Sequence, residues 1–262
     1  MLRIEREIPI WGTEIYVSAA SGKLNDVEIN LAIDEIELFF IQVDNELSTY
    51  KPDSFVSKLR TNRLNIEVAS PLVQEVWRGC LRALDLSFGA FDPWKVAGGF
   101  DPSGYVKGWA AEKAADLMVA AGCESVQVNA AGDLALRSSE NCPPWRIGVV
   151  NPDENSQIVQ VFEITNGHIA TSGTSEKGAH IHDPFTDLIA IGAKSATVIG
   201  PDGGICDALA TAVMVDGKDA ARWIGNPELR DFTFWTINRH SDTAWSYGPN
   251  TGVKSQEFSI FK

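Results

Sequence analysis

From Asn25 onward the apolar residues Ile29, Ile33, Ile36, Phe40, Val43 and Leu47 recur at steps of four and three, the period of a helix with one apolar face. Asn25 and Glu28 form a capping pair at its start, and Pro52 ends regular structure beyond it. A helix of this length must lay its apolar stripe on another layer. Residues 3–20 read as extended, a hairpin or bent edge strand around Gly12-Thr13 with Ile8, Ile10, Ile15 and Val17 supplying β-branched residues. Residues 126–129, 134–136, 145–150 and 158–164 read as further strands, with Gly167-His168 turning the chain after them. A second helix opens at Ser70-Pro71 and runs to about residue 86. A third runs from about 104 to 121 with Gly122 as its C′ residue, and a fourth spans 208–215. A short helix over 219–224 and strands near 232–238, 243–247 and 258–261 complete the pattern. The expectation is a mixed α+β fold, one domain over 1–262 with two closely packed subdomains.

Composition narrows the class. With 44% hydrophobic and 22% charged residues the chain is ordinary for a globular protein. No stretch reaches the eighteen apolar residues of a membrane span. The first residues alternate charged and apolar types, unlike a secretory signal, and carry no cysteine for a lipid. Cys80, Cys123, Cys142 and Cys206 show no C-x-x-C spacing, so free thiols and a cytoplasmic location are expected. A net charge of -13 argues against general nucleic-acid binding.

The chemistry concentrates between Thr171 and Thr211. In Asp207-Ala208-Leu209-Ala210-Thr211, a helix places the Asp207 carboxylate and the Thr211 hydroxyl one turn apart on one face. Two hard oxygens in that arrangement suit a Mg²⁺ that keeps waters and takes its other ligands from phosphates. Asp207 as a helix N-cap is the competing reading. Upstream stand Thr171-Ser172-Gly173, then His180-Ile181-His182-Asp183-Pro184, then Ser195-Ala196-Thr197-Val198. In this order and spacing the motifs resemble the C-terminal half of the ApbE family of FAD:protein FMN transferases.

The resemblance extends forward through Ser48-Thr49-Tyr50-Lys51-Pro52-Asp53-Ser54, Gly89-Ala90-Phe91-Asp92-Pro93, Lys107-Gly108-Trp109-Ala110-Ala111-Glu112 and Asn129-Ala130-Ala131-Gly132-Asp133. It implies Mg-dependent transfer of the FMN moiety of FAD to a threonine hydroxyl of an acceptor protein, with release of AMP. It further implies Asp207, Thr211 and the Ala115 carbonyl as Mg²⁺ ligands. Trp11, Tyr50, Ala90, Phe91, Asp92, Glu112 and His182 would surround FAD, and His180 or Asp183 would assist deprotonation of the acceptor. The chain departs from the family pattern in four places: Trp11 stands for a usual Met, residues 94–99 replace T-V-G-P-L, Glu112 stands for Asp and Ala131 for Gly. Two rival readings are a Mg-dependent FAD pyrophosphatase and a non-catalytic FAD-binding protein.

Overall fold

A computed structural model describes residues 1–173, 181–241 and 243–249. In chain order the elements are β1 (Leu2–Ile10), β2 (Thr13–Ser21), α1 (Asp26–Leu47), α2 (Phe55–Arg60), α3 (Pro71–Leu86), α4 (Ser103–Ala120), β3 (Ser125–Ala130), β4 (Asp133–Ser138), β5 (Trp145–Asn151), β6 (Glu154–Ile164), β7 (Gly167–Gly173), β8 (Ala193–Gly200), α5 (Gly203–Asp216), α6 (Ala221–Ile224), β9 (Thr233–Asn238) and β10 (Ala244–Tyr247). Eight strands form one sheet in the order β1-β2-β3-β4-β7-β8-β9-β10, each pair antiparallel, and β5 with β6 makes a separate two-stranded ribbon.

Strand alternation sorts the sheet's side chains onto two faces. Ala135, Ala170, Ala196, Val198 and Phe234 join Val17, Val126 and Val128 in the large core beneath α1, α3, α4 and α5. Their sequence neighbours Leu136, Ile169, Ile199 and Trp235 turn the other way, into a second core closed by Val149, Phe162 and Ile164 of the ribbon. The anchor helix behaves as its period requires. All six positions of that stripe are buried, and Asn25 and Glu28 exchange both hydrogen bonds of a capping box. At about 1.5–3 kcal/mol per buried large side chain, this stripe contributes on the order of 10 kcal/mol, well above any propensity term.

Helix α5 differs from expectation. It begins at Gly203, and its N-cap is Asp202, whose carboxylate accepts the Ile205 N–H at 2.9 Å. Asp207 is therefore not a cap. The pair Gly203-Gly204 looks like a helix breaker in sequence, yet both residues serve close packing. A Cβ on Gly203 would lie 2.4 Å from the Gly108 carbonyl oxygen, and one on Gly204 would lie 2.4 Å from the Tyr105 ring. Helix α2, capped by Ser54, also goes beyond the sequence reading. The helix expected over 219–224 is a 3₁₀ turn, Gly217–Ala220, running into α6. The strand expected near 258–261 lies outside the described residues.

Candidate functional site

Helices α4 and α5 run antiparallel and meet through glycine. A Cβ on Gly108 would fall 2.1 Å from the Gly203 carbonyl oxygen and 3.0 Å from the Asp207 Cβ. One on Gly104 would fall 3.4 Å from Thr211 Oγ1 and 3.2 Å from the Phe91 ring. At the far end, Glu112 accepts the Gly203 N–H at 2.7 Å. Backbone contact of this kind leaves no room for slack, so polar groups along the seam have fixed partners.

The centre of the seam is ionic. Lys107 Nζ lies 2.5 Å from Asp133 Oδ2, and 3.2 and 3.1 Å from Asp207 Oδ1 and Oδ2. The Gly108 N–H points at Asp207 Oδ2 from 3.3 Å. Both carboxylates are buried, with side chains 5% and 4% exposed, whereas Lys107 is 26% exposed and forms the outward member. Burial alone would push the ammonium pKa down. The charges of Asp133 and Asp207 more than reverse this, and Lys107 stands above the ordinary lysine range. One turn from Asp207, Thr211 Oγ1 faces Ser172 Oγ of β7 at 3.4 Å. A lysine, two carboxylates and two hydroxyls thus line one short path between α4, α5 and the ends of β4 and β7.

Asp133 is held here by a tight hairpin. Ala131 (φ 54) and Gly132 (φ 96) are the two central residues between the paired Ala130 and Asp133, both left-handed as a type I′ turn requires. Asn129 Oδ1 accepts the Gly132 N–H at 2.9 Å, so this asparagine closes the turn. The same turn joins β1 to β2, where Trp11 (φ 57) precedes Gly12 (φ 72). Trp11 packs edge-on against Phe40 at 5.4 Å and donates to the Phe40 carbonyl at 3.3 Å. Its ring therefore rests on α1.

The remaining candidates divide into those near the seam and those away from it. Ala90 and Phe91 are buried, and Phe91 lies beside Gly104 and hence beside Thr211. Asp92 accepts the N–H groups of Trp94 and Lys95, closing its own turn. The unusual run after it is built locally: Trp94 stacks on Phe100 at 5.2 Å and meets Trp77 edge-on at 4.9 Å, while Arg60 binds the carbonyls of Ala97, Gly99 and Phe100. Tyr50 is 95% exposed on the loop after α1. His182 is exposed on a small turn that pairs it with Ile189. Asp183 is committed within that turn to the Phe185 N–H and the Thr186 hydroxyl. His180 lies outside the described residues.

Two expected site residues, Ala115 and Glu112, lie on later turns of α4 than Lys107 and Gly108. Ala115 is fully buried and interior to α4, seven residues past Gly108. That is roughly 10 Å along the helix axis from the glycine that meets Asp207. The backbone beside Thr211 is the first turn of α4, where Gly104 departs from helical geometry (φ −86, ψ 20). Glu112, expected beside FAD, spends one carboxylate oxygen on the N-terminus of α5. Burial is the main cause holding its pKa above the usual carboxylate value, against the opposing Gly203 N–H. Next to it His168 is pushed down to about 3, first by burial and then by Arg137, so its 3.8 Å approach to Glu112 is not a charged pair. Lys107 was legible only as a cation near glycines. The acid pair around it depends on two distant segments meeting, and no local pattern announces it.

The donor set fits a hard divalent cation. Asp207, Asp133, Thr211 and Ser172 offer oxygen only, and the two carboxylates already converge on one positive charge. Among the described residues no three His, Cys, Asp or Glu side chains gather into a cage.

The model of the ApbE family matches residues 94–232, just over half of the chain, and the chain belongs to that family. Over 127 residues it is 30% identical to the FAD:protein FMN transferase of Rhodobacter capsulatus, a stretch covering 45% of this chain and 24% of that protein. Over 130 residues it is 32% identical to the one from Vibrio cholerae, covering 45% and 39%. The matched stretch thus spans about a quarter to two fifths of these relatives. The fold extends further. The flavin transferase ApbE structure from Vibrio cholerae superposes with a TM-score of 0.80 at 21% identity, covering 94% of this chain and 96% of that one. The ApbE protein of Thermotoga maritima gives 0.76 at 23% identity, covering 90% and 94%. The mixed α and β architecture is that of these structures. No helix among the described residues is long and apolar enough to cross a membrane.

Proposed function

We propose that this chain is a Mg-dependent transferase that moves the FMN moiety of FAD onto a threonine hydroxyl of an acceptor protein. The observation that carries this reading is the seam of α4 and α5. In a member of the ApbE family, whose relatives bear the name FAD:protein FMN transferase, it aligns Asp207 with Thr211 and backs Asp207 with Lys107 and the Gly108 N–H.

The reaction exchanges one P–O bond for another. The threonine oxygen bonds to the phosphorus of the FMN half, the bond to the AMP half breaks, AMP leaves with that electron pair, and the hydroxyl proton passes to a base. Positioning and charge neutralisation supply most of the catalysis in such a step. Mg²⁺, held by Asp207 and Thr211, would neutralise charge on the pyrophosphate. A backbone ligand, where one is used, comes from the first turn of α4. Lys107 and Gly108 fix the rotamer of Asp207. Phe91 provides an apolar wall beside Thr211, and Tyr50 a free aromatic surface for the isoalloxazine. Because Asp183 is engaged in its own turn, His180 is the better candidate for the base.

The test is incubation with FAD, Mg²⁺ and a protein or peptide carrying an acceptor threonine. The expected result is an FMN mass added to the acceptor, flavin fluorescence that survives denaturing electrophoresis, and one AMP per flavin transferred. Free FMN and AMP with no modified acceptor would make the protein a pyrophosphatase. FAD binding without AMP release would make it a carrier.

A further inference from the structure

Lys107 has a place in the site that ligand assignments leave out. Its ammonium is nearly equidistant from the two oxygens of Asp207, at 3.2 and 3.1 Å, so it occupies the face where a cation would be held by both. It is also the outward member of the cluster, with Asp207 and Asp133 buried behind it. A divalent ion seeking Asp207 therefore meets a positive charge already in position. Two cations on one carboxylate repel, and the ammonium has a second, shorter anchor at Asp133, 2.5 Å away.

We infer that Lys107 is the resident counter-ion of the Asp133–Asp207 pair, and that a divalent cation gains Asp207 in exchange for it, the ammonium retreating onto Asp133. This inference rests on the metal reading proposed above. Its physical motive is the cost of leaving a buried carboxylate without a partner. With Lys107 present the fold does not depend on the metal, and the metal binds more weakly than the bare acid pair would allow. Lys107 is on this account a positioning residue, which guards and orients Asp207 before the ion arrives.

The decisive measurement is Mg²⁺ affinity by titration calorimetry on the full chain, with and without saturating FAD and with no acceptor present. Lys107→Met keeps the side chain's bulk and removes its charge. It should bind Mg²⁺ about tenfold more tightly than the parent or better. Its melting temperature should fall in the absence of Mg²⁺ and recover as Mg²⁺ is added, since an ion that binds only the folded state stabilises it. Lys113→Met, which removes a lysine of the same helix that pairs with Glu75, should leave Mg²⁺ affinity unchanged. Equal or weaker affinity in Lys107→Met, with the parent still binding Mg²⁺, overturns the inference and leaves the transferase reading standing. Absence of Mg²⁺ binding in both proteins removes the metal reading and the exchange together. Should Lys107→Met fail to fold, acylation of the parent lysines by acetic anhydride, mapped by mass spectrometry, decides. Lys107 should react slowly without Mg²⁺ and faster once Mg²⁺ is saturating; an unchanged or slower rate sinks the exchange.

Discussion

The α4–α5 floor of the candidate site and an outer rim of exposed loops away from that seam are built on opposite principles. The floor is the seam of α4 and α5, where glycine meets glycine and every charge has a partner within about 3 Å. The rim carries side chains with little to hold them: Tyr50 is 95% exposed, and Phe185 and Leu188, on the turn that also carries His182, are 52% and 69% exposed. A preorganised floor suits charge stabilisation, because its dipoles need no reorganisation at the moment of reaction. An open aromatic rim suits capture of a planar ligand, whose stacking surface completes what the loop leaves bare. Substitutions in the floor should therefore change turnover or folding, and substitutions in the rim should change affinity alone.

The largest effect should come from Asp207→Asn. It preserves shape but removes the charge shared by Lys107 and the proposed ion, and flavin transfer should fall by about 10²-fold or more at saturating FAD. Because Asp202 and not Asp207 caps α5, no capping role cushions the change. The folded state should also lose about 1–3 kcal/mol in urea unfolding as Lys107 keeps only Asp133. Thr211→Val should reduce Mg²⁺-dependent turnover while sparing stability. Near-parental turnover in both variants at limiting Mg²⁺ would deny the floor its chemical role.

Gly108→Ala comes next and acts on folding. Alanine normally favours a helix interior by about 1 kcal/mol over glycine. Here its methyl would meet the Gly203 carbonyl at 2.1 Å, backbone that cannot rotate away. A net loss of about 1–3 kcal/mol is expected, with the seam forced apart. A stabilised variant would mean that the helices are not in contact at this point.

Tyr50→Ala addresses the rim. FAD affinity, read by fluorescence titration, should weaken by about 1–3 kcal/mol while the melting temperature of the ligand-free protein stays within error, since an exposed ring supports no packing. If the ligand-free protein melts several degrees lower and affinity in the folded fraction is unchanged, Tyr50 belongs with the floor as a structural residue.

The same division explains what could be read from the sequence. Periodicity and caps marked α1 and α3, Gly122 marked the end of α4, and extended residue patterns marked β1 through β6, whereas β7 was read only as a turn at Gly167-His168 and β8 was not read as a strand. The start of α5 was hidden because Gly203-Gly204 obeys a tertiary demand, close approach to Gly108 and Tyr105, that no local pattern expresses. The Lys107–Asp133–Asp207 cluster was hidden likewise, its members standing 26 and 100 positions apart in the chain. Ala115 came from the resemblance alone, and it lies seven residues along α4 from the glycine that meets Asp207. Tyr50 was visible through its motif alone, and its exposure says only that it is available.

The smallest effect is expected where the chain departs from the family at Ala131. That residue adopts φ 54 in a turn that fixes Asp133 behind Lys107. An L side chain in the left-handed region costs roughly 1–2 kcal/mol, and glycine avoids this while gaining some freedom in the unfolded chain. Ala131→Gly should therefore stabilise the protein by a net amount of about 0.5–1 kcal/mol, measured by chemical denaturation. The turn already has the geometry glycine prefers, so Asp133 should stay in place and Mg²⁺ affinity should not move. A stability gain accompanied by altered Mg²⁺ affinity would show that the strained alanine sets the position of Asp133, making this turn part of the floor's chemistry. A loss of stability would mean that the backbone at 131 is not left-handed in solution.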